Sequence, residues 1–431
     1  MSRLDELIAE LCPDGVEYKR FDETCTLHAR IGWQRLTKAE YKTTGDYMLI
    51  TGTDFTPSNE VNYKSCVYVS RERYVQDPKI QIKNGDILIT KDGTLGKVAQ
   101  VNNLPMPATL NGGVFVVRPK DESLLSRYIM YFLLSGHFQK VVEQQKTGST
   151  ISHLTQALFS RLLLPVPPLE VQREIVHILD SFTLLTAELT AELTARKKQY
   201  EFYRDELLSV KKDIPMVKLG DIATEFYRGS GIKRDEVTDT GIPCVRYGEI
   251  YTTYNTWFDK CVSHTKLDFV KAPKYFENGD ILFAITGESV EDIAKSVAYI
   301  GHEKCLAGGD IVVMKHNQNP RYLAHVLATT EARMQKSRGK VKSKVVHSNV
   351  PSIKEIQIPL PSLEVQEKYA NVLDNFESIC TDLNIGLPAE IKARQKQYEY
   401  YRDLLLTFAE TGSTLITDRQ TDRQTDSAER N

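Results

Sequence analysis

Two kinds of apolar pattern alternate along the chain, and each occurs twice. Short β-branched runs bounded by Gly and Asn, such as the one around "NGDILIT", predict strands. "ITKDGTLGKV" (89–98) reads as strand, turn, strand. Long stretches with apolar residues in a 4-3 rhythm predict helices that pack along another helix. In the first stretch, positions 175, 179, 182, 186, 189, 193, 196, 200, 203 and 207 hold the rhythm. Ile175, Leu179, Phe182, Leu189, Leu193, Tyr200, Tyr203 and Leu207 are apolar there, and only Thr186 and Arg196 are not. The second stretch runs Tyr369, Leu373, Phe376, Cys380, Leu383, Leu387, Ile391, Arg394, Tyr398, Tyr401, Leu405 and Phe408. It contains a 4-4 step between Leu383 and Ile391. Local unwinding absorbs such a stutter, or Pro388 breaks the helix there.

The same order of parts comes back about 200 residues later. "NGDIL" stands at 84 and 278, and "LEVQ" at 169 and 363, both 194 residues apart. "KQYEFYRDELL" at 198 returns as "KQYEYYRDLLL" at 396, a separation of 198. Gly112-Gly113 pairs with Gly308-Gly309, and Arg127-Tyr128 with Arg321-Tyr322. Each half is a mixed segment, then a Pro-rich hinge, then a long helix, because Pro suits a helix start. The opening "LDELIAEL" echoes "RDELLSV" at 204, as if a repeat were cut inside a helix, so the two chain ends are expected to meet. The expected fold is α+β: two mixed α/β domains separated by two long helices packed as an antiparallel coiled coil, with pseudo-two-fold internal symmetry. The expected boundaries are 1–160 and 213–354 for the mixed domains, 161–212 and 355–412 for the helical spacers, and 413–431 for a disordered tail.

Composition narrows the class without naming a function. The 431 residues are 41% apolar and 26% charged, as in a globular chain of about three domains. The apolar run near Tyr128–Leu134 is far too short to span a bilayer, and the acidic N-terminus lacks a signal-peptide core. Seven cysteines without a CxxC pair suit reduced thiols and a cytoplasmic location. A net charge of −2 confines any nucleic-acid site to local patches.

Within the first long helix "LTAELTAELTAR" (185–196) repeats Thr-Ala-Glu-Leu. Four helical residues add about 6 Å and a net rotation of about 40°, and one base pair of B-DNA turns by roughly 34–36°. If two DNA-reading domains sat at opposite ends of paired helices, a unit of four would re-phase them by about one base pair, with tilt or bending absorbing the leftover length. The TAEL unit, the two mixed domains each followed by a long helix, the opening "LIAELCPDGVEYKRFDE" and both "QYE-YRD-LL" helix ends resemble the specificity subunit of type I restriction–modification enzymes, over about residues 2–410. The resemblance implies two target recognition domains, each reading one half of an asymmetric bipartite DNA sequence. It implies double-stranded DNA, two methyltransferase subunits and two motor-nuclease restriction subunits as partners. It also implies no cofactor in this chain, with S-adenosylmethionine on the methyltransferase and ATP and Mg on the motor-nuclease.

Base edges and phosphates are reached by Arg, Lys, Asn, Gln and aromatic side chains. The candidates in the first domain are Arg30, Trp33, Gln34 and Arg35 of "ARIGWQRLTK", which ends at Lys38, and Lys91, Thr94 and Lys97 of the hairpin. In the second they are Arg228, Lys233, Arg234, Arg246 and Tyr247, then Thr286, Ser289 and Lys295 in the longer turn 284–297. The run Arg338, Lys340, Lys342 and Lys344 is the expected phosphate contact. The helical spacer and subunit interface is assigned to Leu179, Phe182, Leu189, Leu193, Tyr200, Tyr203, Leu373, Phe376, Leu383, Tyr398 and Tyr401.

Catalytic motifs are imperfect throughout. Asn319-Pro320-Arg321-Tyr322 lacks the second proline of a base-flipping methyltransferase motif, no phosphate loop is complete, and no histidine spacing suits a metal. The chain is therefore expected to be non-enzymatic. A methyltransferase or nuclease with an unrecognised motif, or a coiled-coil scaffold without DNA, stays open as an alternative. The tail "TDRQTDRQTD" repeats every four residues. The tetranucleotide ACAG read in triplets encodes Thr-Asp-Arg-Gln, so the tail is expected to lie on a slippage-prone tract. Sequencing the gene checks this, since unrelated codons would end the idea.

Overall fold

A computed structural model describes residues 2–32, 36–146, 153–209, 213–340, 345–381 and 386–411. The longer helices are α1 (Arg3–Leu11), α2 (Ser126–Leu134), α3 (Gly136–Lys146), α4 (Leu169–Leu207), α5 (Pro320–Leu327), α6 (Thr330–Ser337), α7 (Leu363–Thr381) and α8 (Gly386–Thr411). Contacts divide the chain into two units, residues 1–187 with 393–431, and residues 188–392. The boundary cuts α4 after Ala187, so the two halves of that helix belong to different units.

In the first unit an antiparallel sheet orders Cys25–His28, Val114–Pro119, Ile87–Thr90 and Val98–Gln100. A second sheet joins Val67–Tyr68, Met48–Ile50 and Ala108–Leu110. The second unit repeats the plan with Ala223–Arg228, Ile311–His316, Ile281–Ala284, Ser296–Tyr299 and an added parallel edge, Trp257–Phe258. In each unit a two-stranded ribbon ties the start of the head to the strand before its hinge: Tyr18–Arg20 with Leu163–Pro165, and Met216–Lys218 with Gln357–Pro359.

The echoed motifs do the same work in both copies. In "NGDIL", Gly85 (φ 88°) and Gly279 (φ 93°) take left-handed backbone that favours glycine. The adjoining Asp86 and Asp280 accept the backbone N–H of Lys83 and Glu277 and face Arg118 and Lys315. Tyr128 and Tyr322 are buried and donate to the Pro165 and Pro359 carbonyls. In "LEVQ", Gln172 accepts from Leu125 N–H and donates to Ser123 O and Pro167 O. Gln366 accepts from Asn319 N–H and donates to Pro361 O. An unsatisfied partner at such a buried site costs about 1–3 kcal/mol, which is why a glutamine holds both places.

The chain ends meet in the first unit, where Leu4 and Cys12 share a core with Leu405 and Leu406. In the second unit α4 and α7 run antiparallel. Arg196 and Lys197 lie close enough to Cys380 for their charges to oppose the upward push that burial gives its thiol, while Tyr200 lies near Glu377. Of the stutter, Leu383 lies outside the described residues, with the rest of 382–385 between the end of α7 and the start of α8. Gly386 opens α8 at φ 67°, where an added Cβ would meet the Ile379 carbonyl at 2.8 Å, and Pro388 follows in the first turn.

One buried position differs in chemistry between the copies. Val142 on α3 is apolar and fully buried, and its counterpart on α6 is Lys336, 6% exposed, donating to Ser296 Oγ (3.0 Å) and Leu327 O (2.8 Å). Burial, with Arg333, Lys295 and Arg204 nearby, pulls its pKa down to about 7 from an ordinary 10.5. Between those values the unfolded chain binds the extra proton, so this residue's contribution to stability falls as pH drops from 10.5 to about 7 and is flat below. Lys336→Met is expected to remove that slope, read as the wild-type-minus-variant difference in denaturant midpoint across the window.

Candidate DNA interface

The cleft of the first head is built on two tight turns. Thr90 donates its hydroxyl to the Thr94 carbonyl and accepts the Lys97 N–H at 2.9 Å, closing the turn that follows Ile87–Thr90. Gly96 (φ 77°) must be glycine, because a Cβ there would stand 2.8 Å from Val142. Opposite, Asn111 accepts the Gly113 N–H (2.6 Å) and donates to Tyr41 Oη (2.8 Å). Between the turns lies a cleft of about 740 Å³, lined among others by Arg30, Lys38, Tyr41, Lys91, Thr94, Lys97, Asn111, Gly112, Gly113 and His153. Lys97 and Thr94 are exposed at its edge, and half-buried Lys91 sits 5.1 Å from the Phe115 ring. His153 Nδ1 contacts Asp92 at 2.5 Å.

Arg30 departs from its expected role. It is 3% exposed and donates to Leu110 O, Thr109 Oγ1, Gln76 Oε1 and Arg73 O, so its guanidinium braces the cleft wall. Trp33, Gln34 and Arg35 lie outside the described residues. Sequence reasoning missed Tyr41, Asn111 and His153. Asn111 carried a signal, since it directly precedes the echoed Gly112-Gly113.

The second head puts Gly308-Gly309 in the matching wall of a cleft of about 650 Å³, together with Arg234, Arg246, Tyr247, Glu249 and Asp310. Gly229 lets two backbones touch, since a Cβ there would fall 2.2 Å from the Gly308 carbonyl. Exposed Arg228 donates to Gly309 O (2.5 Å) and pairs with Asp310 (2.6 Å), which fixes its fork beside that wall. Arg246 pairs with Glu249 at 3.1 Å, Lys233 with Glu236 at 3.6 Å, and Tyr247 is exposed.

Thr286, Ser289 and Lys295 do not join this cleft. Thr286 bonds His347 Nδ1 (3.2 Å) and Ser289 donates to Glu291 (2.7 Å). Lys295 turns inward to the Tyr251 and Tyr254 carbonyls, and burial holds its pKa down. Arg338 is exposed beside a different groove with Met216 and Lys218, and Lys340 follows it half-buried. Lys342 and Lys344 lie outside the described residues.

On the helices Leu179 and Leu373 are buried, Leu189 and Leu193 half-buried, and Phe182 stacks on Tyr401 at 5.4 Å between ring centroids. Tyr398 is half-buried against Tyr131. Tyr203 and Phe376, on the same 4-3 stripe, are exposed. Burial passes instead through Tyr200, Arg204 and Leu208, a four-residue row that turns α4 from its helix partner onto the head. Leu383 lies outside the described residues.

His325, Asp374 and Glu377 bring one ligand atom each within 4.8 Å of one another, but as an ion-pair network. Asp374 accepts from His325 Nε2, Trp257 Nε1 and Arg321, each at 2.7 Å, and Glu377 accepts from Thr256. Tyr200 Oη stands 3.1 Å from His325 Nδ1, so both ring nitrogens are engaged. Burial pushes the Asp374 pKa up, and the His325 contact with the other donors outweighs it and holds the group ionised.

The family described as "Type I restriction modification DNA specificity domain" matches twice, over residues 13–196 and 211–393. The chain belongs to the type I specificity subunits. It is 31% identical to the EcoR124I/EcoR124II specificity subunit of Escherichia coli over 309 residues, 67% of this chain and 72% of that one. A type I restriction enzyme specificity subunit of Haemophilus influenzae is 30% identical over 75% of this chain and 83% of its own. A chain from a solved type I restriction–modification assembly shares the fold, with a TM-score of 0.58 at 15% identity, covering 92% of this specificity subunit and 98% of itself. Among the described residues no helix is long and apolar enough to cross a membrane.

The geometry separates side chains exposed at the cleft edge from those that brace its wall. Lys91→Ala and Lys97→Ala are each expected to weaken duplex binding by the full complex and to lower the slope of log affinity against log salt by about 0.9 if the side chain meets a phosphate. Arg30→Ala is expected to lower the melting temperature first, as scanning calorimetry of the same variants would show.

Proposed function

We propose that each head of this specificity subunit reads one half of an asymmetric bipartite duplex target through its glycine-walled cleft. The supporting observation is one frame furnished in two ways. Gly112-Gly113 faces Lys38, Lys91, Lys97 and Asn111, whereas Gly308-Gly309 stands with Arg234, Arg246 and Tyr247. A shared frame sets both heads on the duplex alike, and different side chains then select different bases.

The helices set the distance between the halves and dock two methyltransferase subunits. Phe202, Tyr203, Phe376, Ile379 and Tyr400 leave aromatic and aliphatic surface open on them for that contact. Restriction subunits join for cleavage. S-adenosylmethionine stays on the methyltransferase and ATP with Mg on the motor-nuclease, while this chain catalyses no step. Deleting Thr190–Leu193 is expected to shorten the target spacer and leave both half-sequences unchanged. Methylome sequencing decides it, and altered half-sequences would refute the ruler.

A further inference from the structure

The two "YRD" helix ends do not sit on the heads that precede them in the chain. Asp403, on α8, accepts the N–H of Gly136 at the start of α3 in the first head (Oδ1, 3.0 Å). Asp205, at the end of α4, accepts the N–H of Thr330 at the start of α6 in the second (Oδ2, 3.1 Å). One turn earlier Tyr398 packs edge-on against Tyr131, and Tyr200 reaches His325, the residue in the place of Tyr131. The contact is close: an added Cβ on Gly136 would lie 2.5 Å from Asp403 Oδ2. The central side chain differs between the copies while the carboxylate-to-N–H bond is kept.

Each head is already fastened to the helix that follows it, by the Pro-rich hinge and by the Arg127–Asp180 or Arg321–Asp374 pair beyond it. Asp403 and Asp205 add an attachment to the other long helix, so each head is held from two helices rather than one. We infer that Asp205 and Asp403 are positioning residues, straps that fix the angle of each head on the helices and so hold the target spacer to a single value. A spacer change of one base pair corresponds to about 3.4 Å along the duplex and roughly 34–36° around it, so a head free to swing by a few ångström would accept two spacings. This inference rests on the reading of the chain as a two-part DNA reader.

The test uses the complex of full-length chain and methyltransferase. Methylation rates are compared on duplexes that keep both half-sequences and vary the spacer by one base pair either way. Asp403→Ala is expected to reduce the preference for the correct spacer by about tenfold, the order a single charge-assisted hydrogen bond sustains. Asp403→Asn, which keeps an acceptor oxygen for Gly136, is expected to restore most of it. Asp205→Ala repeats the measurement at the other head, so misfolding of one variant does not end the test. Unchanged spacer preference in the alanine variants overturns the inference, as does an equal loss of rate on every spacer, the mark of a merely structural role. A wild-type complex indifferent to spacer length would instead sink the two-part reading itself.

Discussion

A carboxylate on a long helix, faced by an arginine of the head that helix carries, is the contact on which the rest of the architecture depends. Arg127 meets Asp180 at 2.8 Å and Arg321 meets Asp374 at 2.7 Å, from the same positions in the two repeats. The two are unequal. Asp180 is 42% exposed, so solvent screens its pair and it holds orientation more than energy. Asp374 is 12% exposed and receives three donors, and removing one partner from so buried a pair costs about 3–5 kcal/mol. The second head is thus fastened by charge, whereas the first leans on packing among Tyr131, Tyr398, Phe182 and Tyr401.

From that fastening the distribution of function follows. The frame residues (the glycines of the turns, the hinge glutamines, the tyrosines that close on the ribbons) are the same in both copies, because both must solve one packing problem. The cleft side chains differ, as the proposed reading of two unlike half-sequences requires. Conformational rigidity lies in the shared set, and the proposed reading places selectivity in the unshared one.

Much of this was legible in the sequence, for a reason particular to a duplicated chain. Motifs that answer a common geometric demand survive as identical letters, so the repeat, the long helices and the meeting of the chain ends could be read from "NGDIL", "LEVQ" and "QYE-YRD". The side chains were harder. Tyr203 fits the 4-3 stripe as well as Tyr200 does, and only the head packed against α4 decides which one is covered. An arginine suits a brace and a base reader equally, so Arg30 gave no sign of facing inward. His153 meets Asp92 across 61 residues, a proximity no local pattern carries.

The place of Leu404, Leu405 and Leu406, buried at the far end of the chain with Leu405 and Leu406 in the core of the first head, has a consequence for synthesis. The earliest-made domain stays unfinished on the ribosome until residues 404–406 have been translated. A prematurely stopped product therefore lacks part of the apolar interior of its own N-terminal domain. Quality-control proteases would meet such a fragment as an incompletely folded substrate rather than as a half-competent competitor.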